Sequence, residues 1–379
     1  MRSRTSLSLI GLLLLAACEG DQRETSPLAP APAPSPSIVA YTPRFLGAVP
    51  NYPSSVARSI NDAGVVAGWA SASNQNDVPV VWNSAGLPTV LSYFYLPTYG
   101  PRAGQATSIN NNGMAVGWLA LPVSISPPPP VGPQPVAVYW PTPTSGPVSI
   151  GPFGSLSAAT DVNASGVVTG YMWTLNSTTT TAFTWTPGVG LTVLPGLPGQ
   201  VASVAWAIDD GGQVVGWAEM SDGCTKPVRW VHATAGLAVV PMLQALTDCG
   251  MALDVTSGRD PVGSMRSGTG LMFAASFGAS GAAAVPGWAP PPSRAEAVSP
   301  LGRVVGYSSS NSVKAYTTDP AGNLSQLPPP GASQGSRAWG VNRCGQIVGA
   351  QLDYAPSGLM HAVLWDGYNG DCRIRRPFQ

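Results

Sequence analysis

The sequence is poor in charge and in histidine. Charged residues make up only 9% of the 379 residues, with 18 basic and 18 acidic side chains and two histidines. Because the net charge is zero and no basic stripe appears, the chain lacks the electrostatic footprint of a nucleic-acid-binding protein. His232 and His361 are far apart and form no metal-binding or catalytic motif. We therefore expect no metal, no cofactor and no catalytic residue that the sequence can name.

Long apolar runs are also lacking, except for one at the N-terminus. It extends from Leu7 to Ala17 behind Arg2 and Arg4, and it is shorter than the ~20 residues of a membrane-spanning helix. A basic start followed by a short apolar run is typical of a secretory signal. Residues 1–17 are therefore predicted to be a signal peptide.

The end of this run resembles the lipobox of bacterial lipoproteins. Its last residues are Leu-Ala-Ala-Cys, and the resemblance implies that Cys18 is acylated, which makes membrane lipid a predicted partner. Glu19 replaces the aspartate that keeps such lipoproteins at the inner membrane, so the outer membrane or cell surface is the predicted location. Residues 18–42 continue as a Pro- and Ala-rich stretch that predicts an extended tether. Residues 43–379 are predicted to form the folded domain.

Glycine and proline are abundant, at 44 and 40 residues. This balance disfavours long helices and favours short strands joined by turns. Because 44% of the residues are hydrophobic, the chain can still bury a large core. The composition predicts an all-β domain.

A ten-residue pattern occurs seven times. The copies are SINDAGVVAG (59–68), SINNNGMAVG (108–117), DVNASGVVTG (161–170), AIDDGGQVVG (207–216), DVTSGRDPVG (254–263), AVSPLGRVVG (297–306) and GVNRCGQIVG (340–349). Asn followed three residues later by Gly is typical of a tight turn between two strands. A ring of calcium ligands is the alternative, but most copies supply one carboxylate or none.

Each copy is followed by two further strand patterns. The third strand ends in an aromatic residue, as in VPVVW (78–82) and HAVLW (361–365), and the fourth follows a Gly- or Pro-containing turn, as in GLTVLPG (190–196). The unit thus has four strands. Strand a precedes the turn of the ten-residue pattern, strand b follows it, strand c ends in the aromatic residue, and strand d comes last. Their tryptophans are predicted to fill the space between neighbouring units. These tryptophans are Trp69, Trp82, Trp118, Trp185, Trp217 and Trp230.

Seven units of four antiparallel strands predict a seven-bladed β-propeller. RFLGAVP (44–50) stands at the strand d position before the first copy, whereas the last copy ends after strand c at Trp365. The N-terminal strand is therefore predicted to complete the last blade and close the ring. An open β-repeat array is the alternative.

The repeated pattern resembles the bacterial extracellular HAF-repeat family. The matching motifs are the I-N-x-x-G-x-V-V-G core and the strand that follows it, as in Thr181-Ala182-Phe183 and His361-Ala362-Val363. The resemblance extends from Arg44 to Trp365. It implies an extracellular location and a repeat fold, and it implies no catalytic residue.

Four cysteines remain once Cys18 is lipidated, and they permit three pairings. In a propeller, Cys224 and Cys249 lie at one rim, and Cys344 and Cys372 at the other. The rims are ~17–20 Å apart, whereas the Cα atoms of bridged cysteines lie within ~7 Å. We therefore predict the bridges Cys224–Cys249 and Cys344–Cys372.

The b–c and d–a connections vary in length, and variable loops on a rigid scaffold often bind ligands. Tyr93, Phe94, Tyr95 and Tyr99 in one d–a connection are candidate ligand contacts, or else they pack on the neighbouring blade. The predicted function is a monomeric binding or scaffold module at the cell surface. Its ligand is a glycan, a peptide or an envelope protein. The alternative is a glycan- or peptide-active enzyme with carboxylates from several blades.

Overall fold

The structure is a computed structural model that describes residues 40–367 with gaps. The gaps are 73–76, 94–102, 122–133, 152–155, 175–176, 178, 234–235, 243–248, 267–269, 280, 286, 289, 332–334 and 354–357, and the side chains of 121, 232–233 and 236–237 are also outside the description. The predicted signal peptide, Cys18 and almost all of the tether lie outside the described residues. Within the described residues, no helix has the length and apolarity needed to cross a membrane.

The described chain folds into antiparallel sheets of four strands each. Six sheets are consecutive in sequence and form blades 1 to 6: β2 (Ser54–Ile60), β3 (Val66–Ser71), β4 (Asp77–Trp82) and β5 (Pro88–Val90); β6 (Gly104–Ile109), β7 (Ala115–Leu121), β8 (Gln134–Trp140) and β9 (Val148–Ser149); β10 (Leu156–Val162), β11 (Val168–Trp173), β12 (Thr181–Thr186) and β13 (Gly190–Val193); β14 (Gln200–Ile208), β15 (Val214–Met220), β16 (Thr225–Ala233) and β17 (Gly236–Pro241); β18 (Cys249–Asp254), β19 (Val262–Arg266), β20 (Met272–Gly278) and β21 (Gly281–Ala284); and β22 (Ser293–Val298), β23 (Val304–Ser308), β24 (Lys314–Thr318) and β25 (Leu324–Gln326). Blade 7 combines β26 (Gly335–Val341), β27 (Ile347–Leu352) and β28 (Met360–Asp366) with β1 (Thr42–Phe45).

The N-terminal strand closes the ring. β1 pairs antiparallel with β28, so that Thr42 lies opposite Asp366 and Phe45 opposite Val363. The strands a of successive blades contact one another, and β26 of blade 7 contacts β2 of blade 1. The prediction of an all-β, seven-bladed β-propeller with N-terminal closure is thereby confirmed, and the open array is excluded.

Every strand a carries a β-bulge at the same place. In blade 1, Ala57 pairs with Gly68 and Ser59 with Ala67, so Arg58 between them has no partner in the ladder. The same shift recurs in all seven blades. The bulged residues are Arg58, Thr107, Thr160, Trp206, Leu253, Glu296 and Trp339. An extra residue of this kind bends a strand and redirects a side chain.

The bulge explains the last glycine of the ten-residue pattern. A Cβ atom on Gly68 would lie 1.9 Å from the carbonyl oxygen of Val56. The corresponding distances in the other six blades are 1.9 to 2.2 Å. Because this oxygen belongs to the backbone, only glycine fits opposite the bulge.

The asparagine of the a–b turn has two roles. In blade 1, Oδ1 of Asn61 accepts hydrogen bonds from the backbone N–H groups of Ala63 and Val65, at 3.1 and 2.9 Å, which is the predicted turn role. Its Nδ2 donates to the carbonyl oxygen of Asn110 in blade 2, at 3.0 Å. The same inter-blade bond runs from Asn110 to Asn163, from Asn163 to Asp209, and from Asn342 to Asn61. The turn asparagines therefore link four blade interfaces.

Four tryptophans of strand c are fully buried between blades. They donate their indole N–H groups to backbone carbonyls that follow strand d of the preceding blade. The pairs are Trp82 with Gly47, Trp140 with Ser92, Trp230 with Pro195 and Trp365 with Pro328. The predicted burial between blades holds for Trp82 and Trp230. The other four tryptophans named from the sequence, Trp69, Trp118, Trp185 and Trp217, are only partly buried.

One disulfide joins blade 4 to blade 5. It connects Cys224 in the b–c turn of blade 4 to Cys249 at the start of β18, with Cα atoms 5.3 Å apart. This is the first of the two pairs that the sequence predicts. Cys344 also takes part in a disulfide. Cys372, the partner predicted for it, lies outside the described residues, so that pairing stays a prediction.

Candidate binding site in the central cavity

A cavity of about 240 Å³ lies where the seven strands a converge. Its wall is built from the second half of each strand a, from the bulged residue to the a–b turn. All seven bulged residues line it. Each blade therefore contributes its bulged residue to the cavity wall.

The alanine before each bulge and the glycine opposite it are constant, but the bulged residues are not. Every bulge is preceded by a fully buried alanine and faces a glycine across the ladder. The bulged position itself carries five residue types, namely Arg, Thr, Trp, Leu and Glu. At two blades the bulged residue also joins neighbours, because the hydroxyls of Thr107 and Thr160 donate to the carbonyl oxygens of Ala159 and Ala205 in the next blade, both at 2.9 Å. The other five bulged residues differ in size and charge and give the cavity wall its mixed character.

Arg58 reaches across the cavity from blade 1. Its Nη1 lies 3.4 Å from the carbonyl oxygen of Trp339 in blade 7 and 4.0 Å from Oε2 of Glu296 in blade 6. Its guanidinium carbon is 5.7 Å from the ring centroid of Trp206 in blade 4. Glu296 has a closer partner, because Nε of Arg294 is 3.0 Å from its Oε1. Burial lowers the pKa of Arg58.

Two carboxyl groups line the same cavity and connect blades. Asp161 accepts hydrogen bonds from Oγ of Ser108 at 2.6 Å and from the backbone N–H of Ile208 at 2.9 Å, so it joins blades 2, 3 and 4. Asp254 accepts from the backbone N–H of Val298 in blade 6 at 2.7 Å. Desolvation raises the pKa of both carboxyls, and the nearby charge of Asp161 helps to raise the pKa of Asp254 to about 8. The raised pKa favours the neutral, protonated form of Asp254 near neutral pH.

The mouth of the cavity is formed by the a–b turns. Asp62 accepts hydrogen bonds from the backbone N–H of Arg343 at 2.9 Å and from Nδ2 of Asn111 at 3.0 Å. Asp210 accepts from the backbone N–H of Ala164 at 2.8 Å. These bonds join neighbouring turns and fix the shape of the opening, whose charged side chains are three aspartates and one arginine.

Tyr93, one of the four aromatic residues predicted as ligand contacts, does not line this cavity. Tyr93 packs against the buried cluster between blades 1 and 2, together with Leu91 and Trp140, which is the packing alternative that the sequence left open. Phe94, Tyr95 and Tyr99 lie outside the described residues. Within the part of the chain that the structure describes, no group of three His, Cys, Asp or Glu side chains is placed to hold a metal ion.

Sequence reasoning missed the cavity residues, although a signal was present. Each bulged residue stands three positions before the turn residue, as Arg58 stands before Asn61. Each also follows an alanine, so aligning the seven copies places a variable column directly after a constant one. The ten-residue pattern begins one position after this column and therefore excluded it.

Comparison with known proteins adds the class of the fold. No protein-family model and no curated protein matches the chain. A streptogramin B lyase structure matches with a TM-score of 0.50 and 10% identity, over 86% of this chain and 98% of its own. A catalytically inactive virginiamycin B lyase from Staphylococcus aureus has a TM-score of 0.49 and 11% identity, over 86% and 99%. A lectin from Burkholderia pseudomallei has a TM-score of 0.48 and 11% identity, over 84% and 98%.

At these identities the likeness shows the fold alone. The chain is a seven-bladed β-propeller.

Proposed function

We propose that this protein is a lipid-anchored, extracytoplasmic binding module that takes a small polar ligand into its central cavity. The observation that carries the proposal is the bulged position, at which seven blades present five residue types to one cavity. Binding sites combine aromatic faces with a few polar groups in a concave setting. Here Trp206 and Trp339 supply the faces, and Arg58, Glu296 and Asp254 supply the polar groups.

The location rests on separate observations. The disulfide between Cys224 and Cys249 is typical of an oxidising compartment outside the cytoplasm. The lipobox-like end of the apolar run and the resemblance to HAF-repeat proteins support export and anchoring at Cys18. We expect a Cys18→Ser chain to lose the lipid label and to leave the membrane fraction. Retention in that fraction would contradict the anchor.

A ligand panel tests the binding function. The exported chain is titrated calorimetrically with glycans and short peptides, and the hits are repeated with Trp206→Ala and Trp339→Ala. We expect each substitution to weaken binding at least about tenfold, because it removes an aromatic face on which the ligand packs. Trp118→Ala is the matched control, because Trp118 is a partly buried tryptophan that does not line the cavity.

The same panel distinguishes binding in the cavity from binding at the d–a connections. If Tyr93→Ala abolishes binding while Trp206→Ala and Trp339→Ala leave it unchanged, the ligand binds at the d–a connections and the cavity proposal is wrong. The partly buried position of Tyr93 against the cluster between blades predicts a loss of stability instead.

A second candidate is an enzyme, because Asp161, Asp254 and Glu296 bring carboxyl groups from three blades to one cavity. A carboxyl that stays protonated near neutral pH, such as Asp254, has the property that a general acid requires. An enzyme would release product from a member of the panel, and Asp254→Asn would stop turnover while binding persisted. A binding module would release none.

A further inference from the structure

We infer that the central cavity binds its ligand through a carboxylate group and that Arg58 is the residue that pairs with it. The inference rests on the proposed binding function and names the chemical class of the ligand. The class is a small organic acid with one negative charge and a ring or apolar face.

Arg58 uses few of its hydrogen-bond donors in contacts with the protein. A guanidinium group carries five N–H donors. Among the described residues, Arg58 makes one hydrogen bond, of 3.4 Å to Trp339, and one ion pair, of 4.0 Å to Glu296. Charge-assisted hydrogen bonds are normally about 2.7–2.9 Å. Both contacts are therefore long for a cation whose side chain is only 19% exposed.

The protein's own carboxyl groups are engaged elsewhere. Glu296 lies 3.0 Å from Nε of Arg294 and 4.0 Å from Nη1 of Arg58, so Arg294 is its nearer cation. The oxygens of Asp161 are held by Ser108 and by the backbone of blade 4, and Asp254 is held by the backbone of blade 6. Arg58 is therefore an incompletely paired cation in the cavity. A carboxylate from a ligand would complete its pairing.

Two further features narrow the class. Trp206 lies beside the guanidinium group, and Trp339 contributes the neighbouring wall, so a ring or apolar face of the ligand has aromatic partners. The mouth carries Asp62, Asp209 and Asp210 against Arg343. This excess of carboxylates repels a ligand with several negative charges.

The charged surroundings also set a pH dependence. The groups that face Arg58 are Asp161 from β10, Asp254 from β18, Arg294 and Glu296 from β22, and Asp62, Asp209, Asp210 and Arg343 from the turns. The pKa of Asp254 is about 8, so this carboxyl is neutral below that pH and negative above it. The negative charge of ionised Asp254 repels an acidic ligand. The affinity of the cavity for an acid should therefore fall as the pH rises through about 8.

Matched pairs of acids and neutral analogues test the inference. The exported full chain, purified in detergent, is titrated with glucuronic acid and glucose, and with N-acetylphenylalanine and its amide. These pairs separate a sugar acid from a peptide carboxylate. We expect one acid to bind at least about tenfold more tightly than its neutral partner, and Arg58→Met, which keeps length but removes charge, to abolish that preference.

The controls separate recognition from packing. Arg337→Met is the matched control, because Arg337 stacks on Tyr307 at 4.8 Å and does not line the cavity. If Arg58 only fills space in the cavity, Arg58→Met lowers the unfolding temperature but leaves unchanged the ratio of the affinity for the acid to the affinity for its neutral partner. Arg58→Lys should keep part of the preference.

Three results would overturn the inference: equal affinity for acid and neutral partner, a preference that survives Arg58→Met, or no binding of either acid. These are distinct from failure of the proposed function. If neutral sugars or peptides bind and lose affinity with Trp206→Ala, the binding module stands and the carboxylate class is wrong. If no panel ligand responds to Trp206→Ala, the proposed function itself fails.

Discussion

The interface between blades 3 and 4 and the interface between blades 4 and 5 are held by different contacts. At the first, Asn163 donates to the carbonyl oxygen of Asp209, and the backbone N–H of Ala182 donates to Oγ of Ser203, at 3.1 and 3.0 Å. Both bonds recur at other interfaces. At the second, the equivalent residues are Asp209, which has no amide to donate, and Gly250, which has no hydroxyl.

The disulfide crosses the interface that lacks both repeated links. The serine link is present at five interfaces, through Ser55, Ser157, Ser203, Ser293 and Ser336. The asparagine link is present at four. Within the described residues, only the interface of blades 4 and 5 has neither, and there Cys224 binds Cys249. A closed ring depends on its weakest interface, so a covalent link has most effect there.

Removing the disulfide should have the largest effect. The double variant Cys224→Ser, Cys249→Ser should lower the free energy of unfolding by about 3 kcal/mol, because the bridge closes a loop of 25 residues. Denaturant unfolding measures this loss. Hydrogen exchange should accelerate first in β18 and β16. An unchanged unfolding midpoint would show that the interface has other supports.

Removing an asparagine link should have a smaller effect. Asn163→Ala loses the inter-blade bond and leaves two backbone N–H groups, of Ser165 and Val167, without their acceptor. We expect a loss of about 2 kcal/mol by denaturant unfolding. Asn83→Ala is the control and should cost under about 1 kcal/mol, because exposed Asn83 accepts the same two turn hydrogen bonds, from the N–H groups of Ala85 and Leu87. Equal losses would mean that the asparagine acts only in its turn.

Adding the missing link should have the smallest effect, with the opposite sign. In the background that lacks Cys224 and Cys249, Asp209→Asn supplies an amide that can donate to blade 5, as Asn163 does to blade 4. We expect a gain of about 1 kcal/mol. Asp210→Asn is the control, because the bond of Asp210 to Ala164 needs only an oxygen acceptor. No gain from Asp209→Asn would indicate that the turn of blade 5 lies out of reach.

The fold was open to prediction because its determinants are local and repeated. Seven turns, seven strand sets and a leading strand at the position of Phe45 specify the blade number and the closure. The pair Cys224–Cys249 followed from placing each cysteine at a rim. Periodicity provides these features without any knowledge of side-chain packing.

The candidate site was not open to prediction in the same way. A bulge exists only once two strands are paired, so Arg58 and Trp206 look like ordinary strand residues in a single copy. The inter-blade bond of Asn61 is likewise hidden, because turn chemistry alone accounts for an asparagine there. Tyr93 drew attention by its aromatic neighbours in sequence, yet its packing between blades is decided by the tertiary structure.

The most direct test of the central claim is a crystal structure of the chain with a ligand found in the panel. We expect the ligand to lie among Arg58, Trp206 and Trp339, on the bulged residues of strand a. A ligand bound instead at the d–a connection beside Tyr93, with the central cavity unchanged, would contradict it.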